Sequence, residues 1–184
     1  MTTPATPATV EHDPATGTTA YATIDTPDGP FTIVATDSGQ VLASGWTDDP
    51  GYLAALVHRQ LRPADWRRST SLTPITDAVA AYYAGDHEAP MSVPVTSRSG
   101  PFLEHAWPVL RQVPAGAPVT YTRFAELAGN PLAIRAAAAA CSRNPAALFV
   151  PCHRVLRGDG SLGGFRYGLD IKRSLLDREA AAAA

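Results

Sequence analysis

A chain of 184 residues with 45% apolar and 17% charged side chains has enough to build one substantial core or two small ones, which excludes a wholly disordered protein. No run of about eighteen uninterrupted apolar residues occurs, and the opening MTTPATPATVEHDPATGTT has neither the basic start nor the apolar run of an export signal, so the chain reads as cytoplasmic with no membrane segment. The net charge of -2 hides an asymmetry: positions 1–97 hold four Lys and Arg against eleven Asp and Glu, net -7, and positions 98–184 hold eleven against six, net +5. Clustered positive charge suits a phosphate-backbone partner, although an acidic first half is equally a solvated surface.

Residues 1–18 are mostly Thr, Pro and Ala and predict a disordered tail. From Tyr21 to Trp46 apolar and polar residues alternate around Pro27-Asp28-Gly29 and Asp37-Ser38-Gly39, the pattern of a small antiparallel meander. Helices are predicted near Tyr52 to Leu61 and Pro74 to Ala84, the second ended by Gly85, and MSVPVTSR is predicted to be extended. Ser99-Gly100-Pro101 marks a boundary before a helix with Phe102, Ala106, Trp107 and Leu110 on one face. The reading is a tail (1–18), an N-terminal domain (19–97) and a C-terminal domain (98–184).

Thr120 is placed to cap a short helix through Leu127, Gly129-Asn130 turns the chain, and a second helix follows with Pro131 in its first turn. Helix, tight turn, helix is the spacing of a helix-turn-helix, and equally of two packed helices. The second helix, PLAIRAAAAACSR, carries Arg135 on a nearly all-alanine surface, which suits either close approach to another molecule or tight core packing. Asn144-Pro145 stops it, AALFV reads as a short buried strand, and glycines from Gly158 to Gly168 predict a loop before a last helix, from about Leu169 to Glu179. Ala180 to Ala184 are expected to fray.

Two cysteines are too few for a disulfide framework, and Cys141, Cys152 and His153 lack a fourth zinc ligand at a recognisable spacing. Cys152 sits between Pro151 and His153. It is either an inert buried thiol or a nucleophile, and a nucleophile needs a base, for which His153 is the candidate, acting through a water because neighbours on a strand point to opposite sides. Ile171, Leu175 and Glu179 recur at i, i+4, which turns Glu179 inward as a carboxylate able to orient that base.

Val150-Pro151-Cys152-His153-Arg154-Val155, Gly163-Gly164-Phe165 and Lys172-x-x-Leu175-Leu176-x-x-Glu179 together resemble the O6-alkylguanine-DNA alkyltransferases. Upstream, Phe102, Trp107, Val113-Pro114-x-Gly116, Thr120-Tyr121, Leu127-Ala128, Arg135-Ala136 and Asn144-Pro145 stand in the same order, and the strands from Ile24 and the Tyr82-Tyr83-x-Gly85 helix end are similar more loosely.

The resemblance implies an α+β fold, with a ribonuclease H-like N-terminal domain around a small antiparallel sheet and a mostly helical winged helix-turn-helix domain after it. It implies direct-reversal DNA repair: one irreversible transfer of an alkyl group from O6-alkylguanine, with O4-alkylthymine a further candidate, to Cys152, without cofactor or metal. His153, Glu179 and Tyr121 would assist. Thr120, Arg135, Ala136, Ala137 and Asn144 would serve DNA binding, with Arg135 filling the stack left by a flipped nucleotide and Asn144 the hinge that ties that helix to the active-site strand. Cys141, Val155, Leu162, Gly163, Phe165 and Arg166 would form the base pocket. The partner would be duplex DNA carrying O6-alkylguanine, met by a monomer, with cooperative binding left open. The chain departs from the family in Ala136-Ala137-Ala138, where Ala-Val-Gly is usual, and in Phe165, where tyrosine is usual. A DNA-binding regulator without chemistry would share the helix-turn-helix but leave PCHRV unexplained. A cysteine hydrolase would share Cys152 and His153 but needs an oxyanion site for which no separate signal is present.

Overall fold

The computed structural model describes residues 19–62 and 64–183; the predicted tail lies outside them. The fold is α+β. Three antiparallel strands, β1 (Thr19–Thr26), β2 (Gly29–Thr36) and β3 (Val41–Trp46), form the expected meander, and β4 (Trp66–Arg68) adds parallel to β1, giving the order β3-β2-β1-β4. Gly29 (φ 109°) and Gly39 (φ 81°) hold the left-handed positions that the two turns need. Alternate residues of the sheet serve two layers: Phe31, Ile33 and Ala35 enter the main core, whereas Val34 and Ala43 pack with Leu53, Val57 and Leu61.

Helix α1 (Pro50–Leu56) is capped by Asp49, whose Oδ1 accepts from Gly51 N and Tyr52 N. It stops five residues before the predicted end, and the Arg62 guanidinium binds the Ala55 and Val57 carbonyls there. Helix α2 (Thr73–Tyr83) ends at Gly85 (φ 111°), as predicted. MSVPVTSR is extended only in part, since a 3-10 turn takes Ala89–Ser92 before Val95 bridges to Val41.

Helix α3 (Pro101–Leu110) buries Leu103, Ala106, Trp107 and Leu110. Strand β5 (Val119–Thr120) pairs with β6 (Val155–Leu156), and α4 (Tyr121–Leu127) starts where Thr120 Oγ1 accepts from Arg123 N at 3.1 Å. Its end is a Schellman motif: Asn130 N donates to Ala125 O, Gly129 N to Glu126 O, and Gly129 takes φ 80°. Helix α5 (Ile134–Ser142) begins later than predicted. Pro131 and Leu132 stay in the turn because Asn130 Oδ1 accepts from Leu132 N. Helix α6 (Leu169–Ala183) runs past the expected fraying point at Ala180.

The main core draws on both sides of residue 97, from Ala20 to Leu175, and no helix among the described residues is long and apolar enough to cross a membrane. The outer edge of β3 is covered by the chain just before Cys152: Ser44 N donates to Pro145 O, Ala147 N to Ser44 O, and Ser44 Oγ to Ala147 O at 2.7 Å. The sheet thereby holds the segment that delivers the thiol.

Candidate active site

The AALFV segment is not a strand. Leu148 takes φ 74°, a left-handed conformation that a branched side chain adopts at a cost of about 1 kcal/mol, and the chain doubles back so that Ala147 bridges to Val150. Burial of the Leu148 side chain in the core offsets that strain. The reversal brings Asn144 over Cys152: Asn144 Nδ2 donates to Val150 O at 2.8 Å and to Cys152 Sγ at 3.3 Å, while Oδ1 accepts from Ala146 N. Cys152 and His153 stand in a 3-10 turn (Cys152–Arg154), so the strand premise for their opposed directions does not hold, although no direct hydrogen bond joins the two side chains.

Behind the thiol lies a buried ionic cluster. His153 is fully buried and Glu179 is 1% exposed; His153 Nε2 lies 2.8 Å from Glu179 Oε1. Arg154, equally buried, donates from Nε and Nη2 to the same carboxylate, and spends its remaining donors on the Val113 and His87 carbonyls. Burial alone would raise the Glu179 carboxyl, but the bonds from His153 and Arg154, the Arg154 charge and, in acid, the charge of a protonated His153 outweigh it and hold its pKa at about 2. An ionised carboxylate only accepts, so the Nε2 nitrogen of His153 carries the proton and donates. Burial keeps His153 neutral by pushing its pKa down against the pull of Glu179. Nδ1 is then a bare acceptor, and it has no protein partner. A neutral imidazole with a free acceptor nitrogen, on the residue that follows the thiol in the chain, is an arrangement for taking a proton.

The thiol itself rests protonated. Burial raises its pKa, and the Asn144 amide with the charges of Lys172 and Arg166 offsets this only in part. Lys172 is fully buried, with Nζ donating to the Val155 and Leu162 carbonyls. Cys152 opens into a cleft of about 630 Å³ walled by Tyr121, Ala138, Ala139 and Ser142 on one side and by Phe165, Arg166 and Tyr167 of the glycine-rich loop on the other. Tyr167 crosses from that loop to β3, where its hydroxyl donates to Ser44 O at 3.1 Å and a Cβ at Gly45 would fall 2.0 Å from its ring. Glycine at position 45 is thus required for the loop to close on the sheet.

Residues 101–181 match the family model described as "6-O-methylguanine DNA methyltransferase, DNA binding domain". A methylated-DNA–protein-cysteine methyltransferase of Shigella flexneri is 30% identical over 158 residues, which are 85% of this chain and 92% of that protein. This chain belongs to the methylated-DNA–protein-cysteine methyltransferase family. The Escherichia coli bifunctional transcriptional activator and DNA repair enzyme Ada is 44% identical over 93 residues, half of this chain but only 26% of Ada. Among solved structures, the Mycobacterium tuberculosis protein OGT in complex with DNA is 30% identical with a TM-score of 0.72, covering 89% of this chain and 94% of that one.

Within this methyltransferase fold the residues singled out from sequence divide into three groups. His153, directly after Cys152 in the chain, pairs with Glu179, and Cys152 lines the cleft with Tyr121, Cys141, Phe165 and Arg166. Arg135 is exposed on α5 with Ala136 half-buried beside it, and Thr120 spends its hydroxyl on the α4 cap. The other five residues stand elsewhere than the side walls of the cleft or the exposed face of α5. Ala137 is fully buried in the core, and Asn144, 3% exposed, spends its amide on the Val150 carbonyl and the thiol at the back of the cleft. Val155 is fully buried and Gly163 is buried, and neither these two nor Leu162 line the cleft, because Lys172 draws the Val155 and Leu162 carbonyls behind its wall. Sequence reasoning missed Tyr167, whose one signal was an aromatic between Arg166 and Gly168 in a glycine-rich loop, and it assigned no role to Lys172 or Tyr82.

The ionisations set a pH dependence. Folding lowers His153 below the usual imidazole value of 6.5 and Glu179 from 4.5 to about 2, so in both cases the unfolded chain binds the proton first as pH falls. Their stabilisation is complete above those ordinary values and is lost downward. The melting temperature is therefore expected to decline once pH drops below 6.5 and more steeply between 4.5 and about 2. A melting temperature flat from pH 7 to 5 in a thermal scan would show that His153 is not buried in neutral form.

Proposed function

We propose that this methyltransferase repairs O6-alkylguanine in duplex DNA by moving the alkyl group irreversibly to Cys152, once per molecule. The observation that carries the reading is a thiol bonded by Asn144 and opening on a cleft of about 630 Å³, with the next residue, His153, paired through Nε2 to an ionised Glu179. In the reaction the Cys152 proton passes through a water to His153 Nδ1, Sγ bonds to the alkyl carbon, and the C–O6 bond breaks with its electron pair leaving on guanine. Asn144 and Lys172 favour the transient thiolate by a hydrogen bond and by charge. Tyr121, whose hydroxyl burial keeps protonated, donates to N3 of the departing base and relieves its negative charge. The product is a thioether with no good leaving group, so the thiol does not return.

Residues 19–97 and 98–184 act in this reading as a ribonuclease H-like scaffold and a winged helix-turn-helix of α4 and α5. The target atom lies inside a base stack, so the nucleotide must be extruded at a cost of a few kcal/mol. Arg135, the exposed cation on the small-residue face of α5, fills the space it leaves. That the M. tuberculosis relative is solved with DNA supports the partner. The protein is expected to act as a monomer in the cytoplasm.

The test is stoichiometry by intact mass. Lesions removed should rise linearly with protein added and stop at one methyl per chain however long the reaction runs, on duplex and single-stranded substrate alike, with Arg135→Ala slowing the duplex reaction alone. Repair that continues past one per chain would demonstrate turnover and reopen the hydrolase reading.

A further inference from the structure

The Glu179 carboxylate has a donor from the other half of the chain. Tyr82, on α2, is fully buried, and its hydroxyl donates to Glu179 Oε1 at 3.0 Å across 97 residues of sequence. That oxygen is the one that takes the proton of His153 Nε2 at 2.8 Å, and Arg154 Nη2 reaches it at 3.0 Å. The Tyr82 ring is itself held edge-on against His87 at 5.0 Å, and the His87 carbonyl binds Arg154 Nη2.

We propose that Tyr82 is a positioning residue of the alkyl-transfer relay, supplied by the N-terminal half: by donating to the oxygen that His153 uses, it fixes the carboxylate's orientation and limits how much of its charge the imidazole feels. The proposal rests on the alkyl-transfer reading above. A hydrogen bond stabilises the anion that accepts it and makes that anion a weaker acceptor for its other donors. Burial, followed by the Glu179 charge, raises the Tyr82 hydroxyl far above its ordinary value, so it stays a donor at every working pH. The charged and titratable groups around the cluster are His153 and Arg154 of the 3-10 turn, Tyr82 and Tyr83 of α2, His87 against the Tyr82 ring, and Lys172 of α6, with Glu88 3.4 Å from Arg154 on the far side. Among the described residues Tyr82 is the one uncharged side chain that bonds Glu179, apart from His153 itself.

Tyr82→Phe keeps the ring and removes only the donor. Transfer by the full chain on duplex O6-methylguanine, measured under single-turnover conditions, is expected to slow about tenfold at neutral pH, the rate equivalent of one hydrogen bond to a charged group. The acid limb of its pH profile should move to higher pH, because a freer carboxylate favours the protonated imidazole, and the His153 Nε2 proton resonance should move downfield. Incorporating 3,5-difluorotyrosine at position 82, which preserves the fold and strengthens the donor, should shift both readouts the opposite way. Tyr83→Phe, which removes a hydroxyl bonded to Asp28 and Trp46 instead, should shift neither. An unchanged acid limb and resonance in both position-82 variants would reduce Tyr82 to a core residue. Because the resonance is read without substrate, a wild-type protein that accepts no methyl overturns the alkyl-transfer reading separately, while a shifted resonance still upholds the contact.

Discussion

Cys152→Ala is expected to abolish methyl transfer completely while duplex affinity stays within about twofold of wild type. The substitution removes the one atom that forms the new bond. It leaves untouched the exposed face of α5, where Arg135 stands, and the cap and Schellman turn that hold α4 against it. Cys141→Ala is expected to retain transfer. Cys141 lines the same cleft, but burial raises its thiol well above the ordinary value, and neither His153 nor Asn144 donates to or accepts from it. Peptide mapping after incubation with O6-methylguanine duplex checks the assignment; a methyl found on Cys141 of the Cys152→Ala protein would show that the wrong thiol has been named.

Glu179→Gln is expected to damage both stability and rate. The carboxylate accepts from His153, Arg154, Tyr82 and, at 3.4 Å, Gly116 N, and an amide offers one acceptor oxygen and two unwanted donors in its place. It also leaves the Arg154 guanidinium, 1% exposed, with Glu88 at 3.4 Å as its remaining carboxylate, one whose side chain is half in water. Removing one member of a buried ion pair costs about 3–5 kcal/mol, which is a large share of the stability of a domain this size. Transfer should slow by at least about 100-fold, because His153 loses the acceptor that sets its tautomer and stabilises its protonated form. Denaturant unfolding and single-turnover rates measure the two effects separately. Wild-type values for both would mean that Glu179 is neither the anchor of Arg154 nor the orienter of His153.

Several features were legible in the sequence because they are carried by neighbours in the chain. Thr120 before Tyr121 and Gly129 after Ala128 are local signals of a helix start and end, and the structure places α4 between them. Glu179 was legible through Ile171 and Leu175, since a helix fixes which side chains share a stripe whatever lies opposite. By contrast β4 carries three exposed side chains, Trp66, Arg67 and Arg68, with no alternation to read; it is a strand because β1 presents a free edge there.

Asn144 marks the limit most clearly. Were the chain extended from Asn144 through the predicted AALFV strand, the eight residues to Cys152 would span about 26 Å at about 3.3 Å each. The left-handed turn at Leu148 folds that distance back to a 3.3 Å hydrogen bond, and nothing in Ala-Ala-Leu-Phe-Val announces a turn. Buried Leu148 and the bonds from β3 to Pro145 and Ala147 hold the turn.

The sequence by itself therefore determined the chemistry on offer: a thiol beside an imidazole, an inward carboxylate on the last helix, a lone arginine on an alanine-rich helix. Only the tertiary structure decided which groups act on one another. Asn144 reaches the thiol, Lys172 holds the carbonyls of the pocket wall, Tyr167 locks the loop to β3, and Tyr82 meets Glu179 from 97 residues away. Propensity and periodicity act over a few residues, whereas these contacts are set by how sheet, helices and loops pack together, a free energy summed over the whole chain.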